Sequence, residues 1–287
     1  MNVQGRDCSV VVKTKYREID VPYSEETLRE AVSLLVEEAA IEGDGICKAL
    51  RKVRGVTGCV VTPLTIKTAP LFLYLVFGAT GFPLRISETR NLHSSVLTLL
   101  PLEDSELFDL VQNRGNERRL FEACRIKGFE LRIKRGEVIK LKLDVYGERA
   151  HVVCPYNDVV KRERGERFNG DCVTYKINGK ENSAIYGVTL VSRKEGGTRT
   201  ELWIRRVLES GENLSDVIED FSFTAQLLRD SYESRHFGTF TITLKQLVLT
   251  TDETNVNSAD AVLGSVRYYV AGSVTAEVYA TGEDAIA

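Results

Sequence analysis

What this chain of 287 residues lacks narrows its chemistry before anything it contains. It has three histidines, His93, His151 and His236, in three unrelated contexts, one methionine and a single tryptophan, Trp203. No Gly-x-Ser-x-Gly elbow, phosphate-binding loop, His-Glu-x-x-His helix or zinc-ligand cluster can be read in it. No catalytic, cofactor-binding or metal site is therefore assigned, and the chain is not expected to be an enzyme. Cys154 follows His151 by three residues, which in a strand places the two on opposite faces and argues against a thiol–imidazole pair. The six cysteines, Cys8, Cys47, Cys59, Cys124, Cys154 and Cys172, include no Cys-x-x-Cys pair and read as small buried hydrophobes in a reducing compartment.

Charge of one sign is also missing. The formal net charge is -3, so no global basic field exists to hold a nucleic-acid backbone. The single tryptophan and eleven tyrosines form no aromatic ladder interleaved with basic residues, and base-by-base reading of nucleic acid is not supported. No apolar run reaches the roughly 18 to 20 residues that a membrane-spanning helix needs, the longest being APLFLYLVF at 69–77. The first residues lack a charged start followed by an apolar core and a small-residue cleavage site. The expectation is a chain made in the cytoplasm without membrane insertion.

What is present is β alternation. Over residues 129–147, FELRIKRGEVIKLKLDVYG, the apolar Phe129, Leu131 and Ile133 alternate with charged neighbours. After Lys134, Arg135 and Gly136 the pattern resumes as Ile139, Leu141, Leu143 and Val145 against Lys140, Lys142 and Asp144. Successive strand side chains point to opposite faces, so this stretch predicts a hairpin with one apolar and one charged face, turned at Gly136. The end of the sequence repeats the style, with GTFTITLKQLVL, a polar connection, and SVRYYVAGSVTAEVYA.

Helices are expected to be few and short. Ser24 reads as a cap before Glu25 and Glu26, and Leu28, Val32, Leu35 and Ala39 share a helical face, which predicts a helix over 24–40 ended by Gly43 and Gly45. EDSELFDLVQNRG at 103–115 predicts a second, acidic-capped helix with Leu107, Leu110 and Val111 inward. Glu103, Asp104 and Glu106 suit the positive end of such a helix and need no catalytic explanation. A helical turn is expected near 213–218, and the block at 71–77 reads as a buried strand or short helix.

The chain divides into an arm or strand over 1–23, a first β-rich half over 24–158, a charged loop at 159–167, and a second β-rich half over 168–287. The fold class is mainly β, an antiparallel sandwich or barrel with long hairpins.

Three segments carry a resemblance to a known family: LFEACRIKGFELRIKRGEVIKLKLDVYGE, closing on Tyr146 and Gly147; the last long strands, with Gly272 near the middle of the second; and RGVTGCVVTPLTIKTAPLFLYLVFGATG. Together they resemble the tail tube proteins of long-tailed bacteriophages, or of phage-derived particles such as gene transfer agents. The resemblance implies hexameric rings stacked into a tube, with strands from six copies closing an inner barrel that conducts DNA without reading it. It implies tape-measure, terminator and distal tail proteins as partners, and the virion tail as location. Lys134, Arg135, Lys140 and Lys142 would then guard strand edges against wrong pairing or bridge to neighbouring subunits. Tube lumens in this family tend to be acidic, so a basic hairpin implies either that it faces neighbouring subunits or that it does not line the channel. Two other readings stay open: a single-ring tail component such as a distal tail or terminator protein, and a sandwich that binds a ligand through Trp203 and nearby tyrosines.

Overall fold

A computed structural model describes residues 8–15, 18–37, 48–78, 84–87, 92–115, 117–153, 166–208, 215–228, 237–256 and 262–281. In chain order the first strands are β1 (Cys8–Lys13), β2 (Glu18–Val21), β3 (Glu25–Glu26), β4 (Arg29–Glu37) and β5 (Lys48–Pro63), followed by helix α1 (Ala69–Phe77). Next come β6 (Leu84–Ser87), β7 (Leu92–Thr98), β8 (Phe108–Arg114), β9 (Glu117–Lys134), β10 (Lys140–Gly147) and β11 (Arg149–Val153). A 3-10 turn at Gly170–Cys172 leads into β12 (Val173–Ile177), β13 (Lys180–Glu181), β14 (Ile185–Arg193) and β15 (Arg199–Leu208). The last four strands are β16 (Val217–Leu228), β17 (Phe237–Val256), β18 (Val262–Val270) and β19 (Val274–Thr281). Every strand pairing among the described residues is antiparallel, and the fold is mainly β.

Two long hairpins organise the pairings. Strand β9 faces β10 over its second half and β11 over its first, so β10 and β11 act as one interrupted strand. The interruption is at Glu148, opposite Ala123, whose φ of 51° lies in the left-handed region. In the same way β17 faces β19 over its first half and β18 over its second, with Gln246 at φ 55° opposite the break at Ala271 and Gly272. Each kink passes a long strand from one part of the sheet to another. The first half of β9 joins β2–β1–β8–β9–β11, and its second half joins β4–β5–β10–β9–β14–β15–β18–β17. The first half of β17 lies between β16, which leads to β12, and β19, which leads to β7 and β6.

These layers enclose one hydrophobic cluster that draws on both halves of the sequence, from Val10 and Phe129 to Phe240 and Val278. Phe77 of α1 meets Phe129 at 5.7 Å between ring centroids, and Phe168 meets Phe240 edge-on at 5.1 Å. Helix α1 is apolar on all sides and accordingly buried all round, only Tyr74 being partly exposed. Among the described residues β2, β4 and β6 pair on one edge only, so the sheet is open and no barrel closes within the subunit.

Three helical expectations are corrected. Residues 25–26 and 29–37, inside the expected helix over 24–40, are strands, because β5 offers them a full antiparallel partner and Val32 and Val36 suit it. The expected helix over 103–115 is a turn followed by β8, which lies between β1 and β9 and gains ladder bonds on both edges. Residues 217–218 open β16, while residues 213–214 lie outside the described residues. Residues 8–13 and 18–21 of the N-terminal stretch are strands, and residues 1–7 lie outside the described residues, as do 154–165, most of the charged loop. No helix among the described residues is long and apolar enough to cross a membrane.

The hairpin over 129–147 is present in the register that its alternation requires, with Leu141 opposite Leu131 and Leu143 opposite Phe129. Gly136 turns it at φ +78°, its N–H donating to Asp171 Oδ1 at 2.8 Å. Gly170 packs so closely against the same turn that a Cβ there would lie 2.1 Å from the carbonyl oxygen of Lys134.

Candidate functional site

Phe129, Leu131, Ile133, Ile139, Leu141, Leu143 and Val145 are buried, while Lys134, Arg135, Gly136 and Lys140 are exposed and Lys142 is half-buried. The hairpin has β5 on one side and β14 on the other, so neither of its strands is an edge. Its lysines therefore line a sheet face rather than an unpaired edge of the folded subunit.

Register decides what that face contains. Lys140 stands opposite Arg132, Arg132 opposite Thr189, Thr189 opposite Trp203, and Trp203 opposite Arg267, a row across five strands. Two residues along, a second row runs Lys142, Glu130, Val191, Glu201, Tyr269, Val248 and Val217. On the other side of the first row, Lys134, Gly187 and Arg205 align. Directly paired residues point to the same face, so the sheet presents cations around Trp203, carboxylates beside them, and then an apolar end. Val217, Val248 and Tyr269 are 53%, 43% and 36% exposed.

The carboxylates of the second row steady the arginines of the first. Glu130 accepts from Arg132 Nε, a hydrogen bond that holds the guanidinium above its ordinary pKa. Glu201 accepts from Arg267 Nη2 at 2.5 Å and Nε at 3.2 Å, and Arg267 Cζ lies 4.9 Å from the centre of the Trp203 ring. A sugar ring cannot stack on that face of Trp203 without displacing a guanidinium held by two hydrogen bonds. At the turn, the hydrogen bond from Lys134 Nζ to Glu137, 2.5 Å, holds the Glu137 carboxyl below its usual range. Lys140, Arg193 and Arg205 form no ion pair among the described residues. Arg193 and Arg205 flank an open groove of about 610 Å³ whose lining includes Trp203, Arg132 and Arg267.

A second cluster lies at the turn over residues 102–105. Lys194, only 2% exposed, donates from Nζ to the carbonyl of Val76 at 2.6 Å and to Ser105 Oγ at 3.0 Å. Burial lowers its pKa from 10.5 to about 8. Arg125 Nη1 donates to the carbonyls of Leu102 and Glu103 at 3.0 and 2.7 Å. Two cations thus hold the turn from beneath while Glu103 and Asp104 are exposed on it, and Leu107 beyond them is 46% exposed. Glu106 pairs with Lys15 at 2.9 Å.

The remaining candidates do not converge. His151 is exposed on β11, its Nε2 2.9 Å from Glu122 Oε2; His93 lies in β7; His236 and Cys154 lie outside the described residues. Of the described cysteines only Cys124 is buried, and burial raises its thiol to about 12. Cys8 and Cys59 are half-buried and Cys172 is exposed on the 3-10 turn, which corrects the expectation that all pack inward; Cys47 lies outside the described residues. No group of histidine, cysteine and carboxylate side chains that could hold a metal occurs among the described residues. No protein-family model matches the chain, and a search of curated proteins finds no match to it.

Sequence reasoning missed both the cross-strand row and Lys194. Lys140, Thr189 and Arg267 become neighbours only through strand register, which no local pattern encodes. Lys194 stands in a polar turn sequence, KEGGTR, where a lysine is normally solvated.

Proposed function

We propose that this chain is a structural subunit without catalysis, a tail tube protein whose rings stack into a channel for DNA delivery. One observation carries the reading: the large sheet is open, ending in the outer edge of β4 on one side and in the second half of β17, which among the described residues has β18 alone for a partner beyond Val248, on the other. Unpaired strand edges of this length invite pairing with another chain, and closure into a ring of copies removes them. The long kinked hairpins and the resemblance of their sequences to tube proteins support the same reading. The subunit would then belong to the virion tail, act beside tape-measure, terminator and distal tail proteins, and contact DNA only as it passes. Its cationic sheet face suits contact between subunits better than an acidic lumen wall.

Negative-stain electron microscopy of the purified chain over a concentration series tests the proposal. Rings or hollow tubes are expected. Single rings that never stack would favour a distal tail or terminator component, and a monomer at every concentration, with and without purified tail-tip complexes as initiators, would sink it.

A further inference from the structure

The groove face carries more cations than carboxylates: Glu130, Glu137 and Glu201 pair with Arg132, Lys134 and Arg267, and two further arginines remain. Arg193 and Arg205 border the groove without an ion pair among the described residues, on a chain whose formal net charge is -3. Two exposed carboxylates outside the groove lining, Glu103 and Asp104, also form no ion pair among the described residues. Their turn is held by Arg125 and Lys194 through backbone and hydroxyl contacts that leave both acidic side chains outward. Leu107 gives that acidic turn an exposed apolar tip, and the face has an exposed apolar row in Val217, Val248 and Tyr269.

From this match we infer that the groove face of one copy seats the acidic turn, residues 102–107, of a second copy. The inference rests on the ring-forming reading above and names the surfaces that meet. Glu103 and Asp104 complement Arg193 and Arg205 in charge, and Leu107 covers the apolar row. A face built from Trp203, Tyr269 and Arg267 has the composition of a protein interface centre, rich in aromatic residues and arginine. A nucleic-acid backbone would satisfy the cations but leave Val217, Val248 and Tyr269 uncovered. Since face and turn are different surfaces, the contact is head-to-tail, and repeating it generates a ring or a filament rather than an isolated pair.

Charge exchange on the full chain tests the contact by sedimentation velocity, with circular dichroism to check folding. Arg193→Glu with Arg205→Glu, and separately Glu103→Lys with Asp104→Lys, are each expected to weaken association by about tenfold or more, and raised salt to weaken the wild type. Combining all four substitutions in one chain is expected to restore assembly, which also shows that the reversed side chains leave the fold intact. Two-residue variants that assemble like the wild type, or a four-residue variant no better than either pair, overturn the contact while tubes of wild-type chain leave the tube reading standing. A wild type that stays monomeric throughout the concentration series removes the tube reading and this contact with it. DNA binding that is lost in Arg193→Glu with Arg205→Glu, with assembly unchanged, overturns the contact and gives the face to nucleic acid.

Discussion

The ammonium of Lys194 caps the last turn of α1 from outside the helix, donating to Val76 at 2.6 Å, where the helix has no basic residue of its own. A cation at a helix C-terminus meets the negative end of the backbone dipole, and here it also ties α1 to the 102–105 turn through Ser105. Lysine at this position links the two halves of the chain.

Burial of the same ammonium makes stability depend on alkaline pH. Burial lowers the Lys194 pKa from 10.5 to about 8, so the unfolded chain holds this proton more tightly than the folded one. Stability therefore rises with pH between about 8 and 10.5, by roughly 3 kcal/mol from this group, and the gain is lost as pH falls through about 8. Urea denaturation of wild type and Lys194→Met across this window checks it: the difference between the two should move toward the wild type as pH rises, and a constant difference would reject the linkage.

Two glycines at one turn should behave differently. Gly170→Ala drives a Cβ to 2.1 Å from the Lys134 carbonyl oxygen, backbone against backbone, and is expected to cost about 2–3 kcal/mol. Gly136→Ala meets nothing within 4 Å but must hold φ near +78°, and is expected to cost about 1 kcal/mol. Chemical denaturation ranks the pair, and the reverse order would contradict the packing of Gly170.

Phe129 joins the apolar face of the hairpin to α1 through Phe77. Phe129→Ala should destabilise by about 3–5 kcal/mol, whereas Val152→Ala on β11, where Val152 is 70% exposed, should stay within about 0.5 kcal/mol. Thermal unfolding of the two variants separates a core position from a surface one.

Thiol chemistry should follow burial. Cys172 is exposed and is expected to alkylate in the folded protein; Cys124, buried and with its pKa raised to about 12, should react only on unfolding. Peptide mass mapping after brief iodoacetamide treatment distinguishes the two sites, and equal labelling would contradict the burial of Cys124.

The hairpin over 129–147 was legible because strict alternation admits one secondary structure, and its buried set follows from the same period. The stretch at 24–40 misled because Leu28, Val32, Leu35 and Ala39 fall at helical spacing, while its real determinant, β5, lies beyond residue 47. Carboxylates before Leu107 looked like a helix start; a strand follows because β1 and β9 take up both of its edges. Tertiary pairing overrides local propensity in both cases. The face around Trp203 is legible only in part: in TELWIRRVL, Leu202 and Ile204 alternate with Trp203 and Arg205, which puts the latter two on one side of β15, but the partners Arg267, Thr189 and Arg132 come from strands far apart in sequence.

The pairing of β7 with β19 has a consequence for how the molecule is made. Strand β7 ends at Thr98, and besides β6 its partner in the sheet is β19, which begins only at Val274. On the ribosome, β6 and β7 emerge early and wait through the synthesis of eleven further described strands, β8 to β18, before that edge is covered, so a chain under translation carries an open template for wrong pairing until its last described strand has appeared.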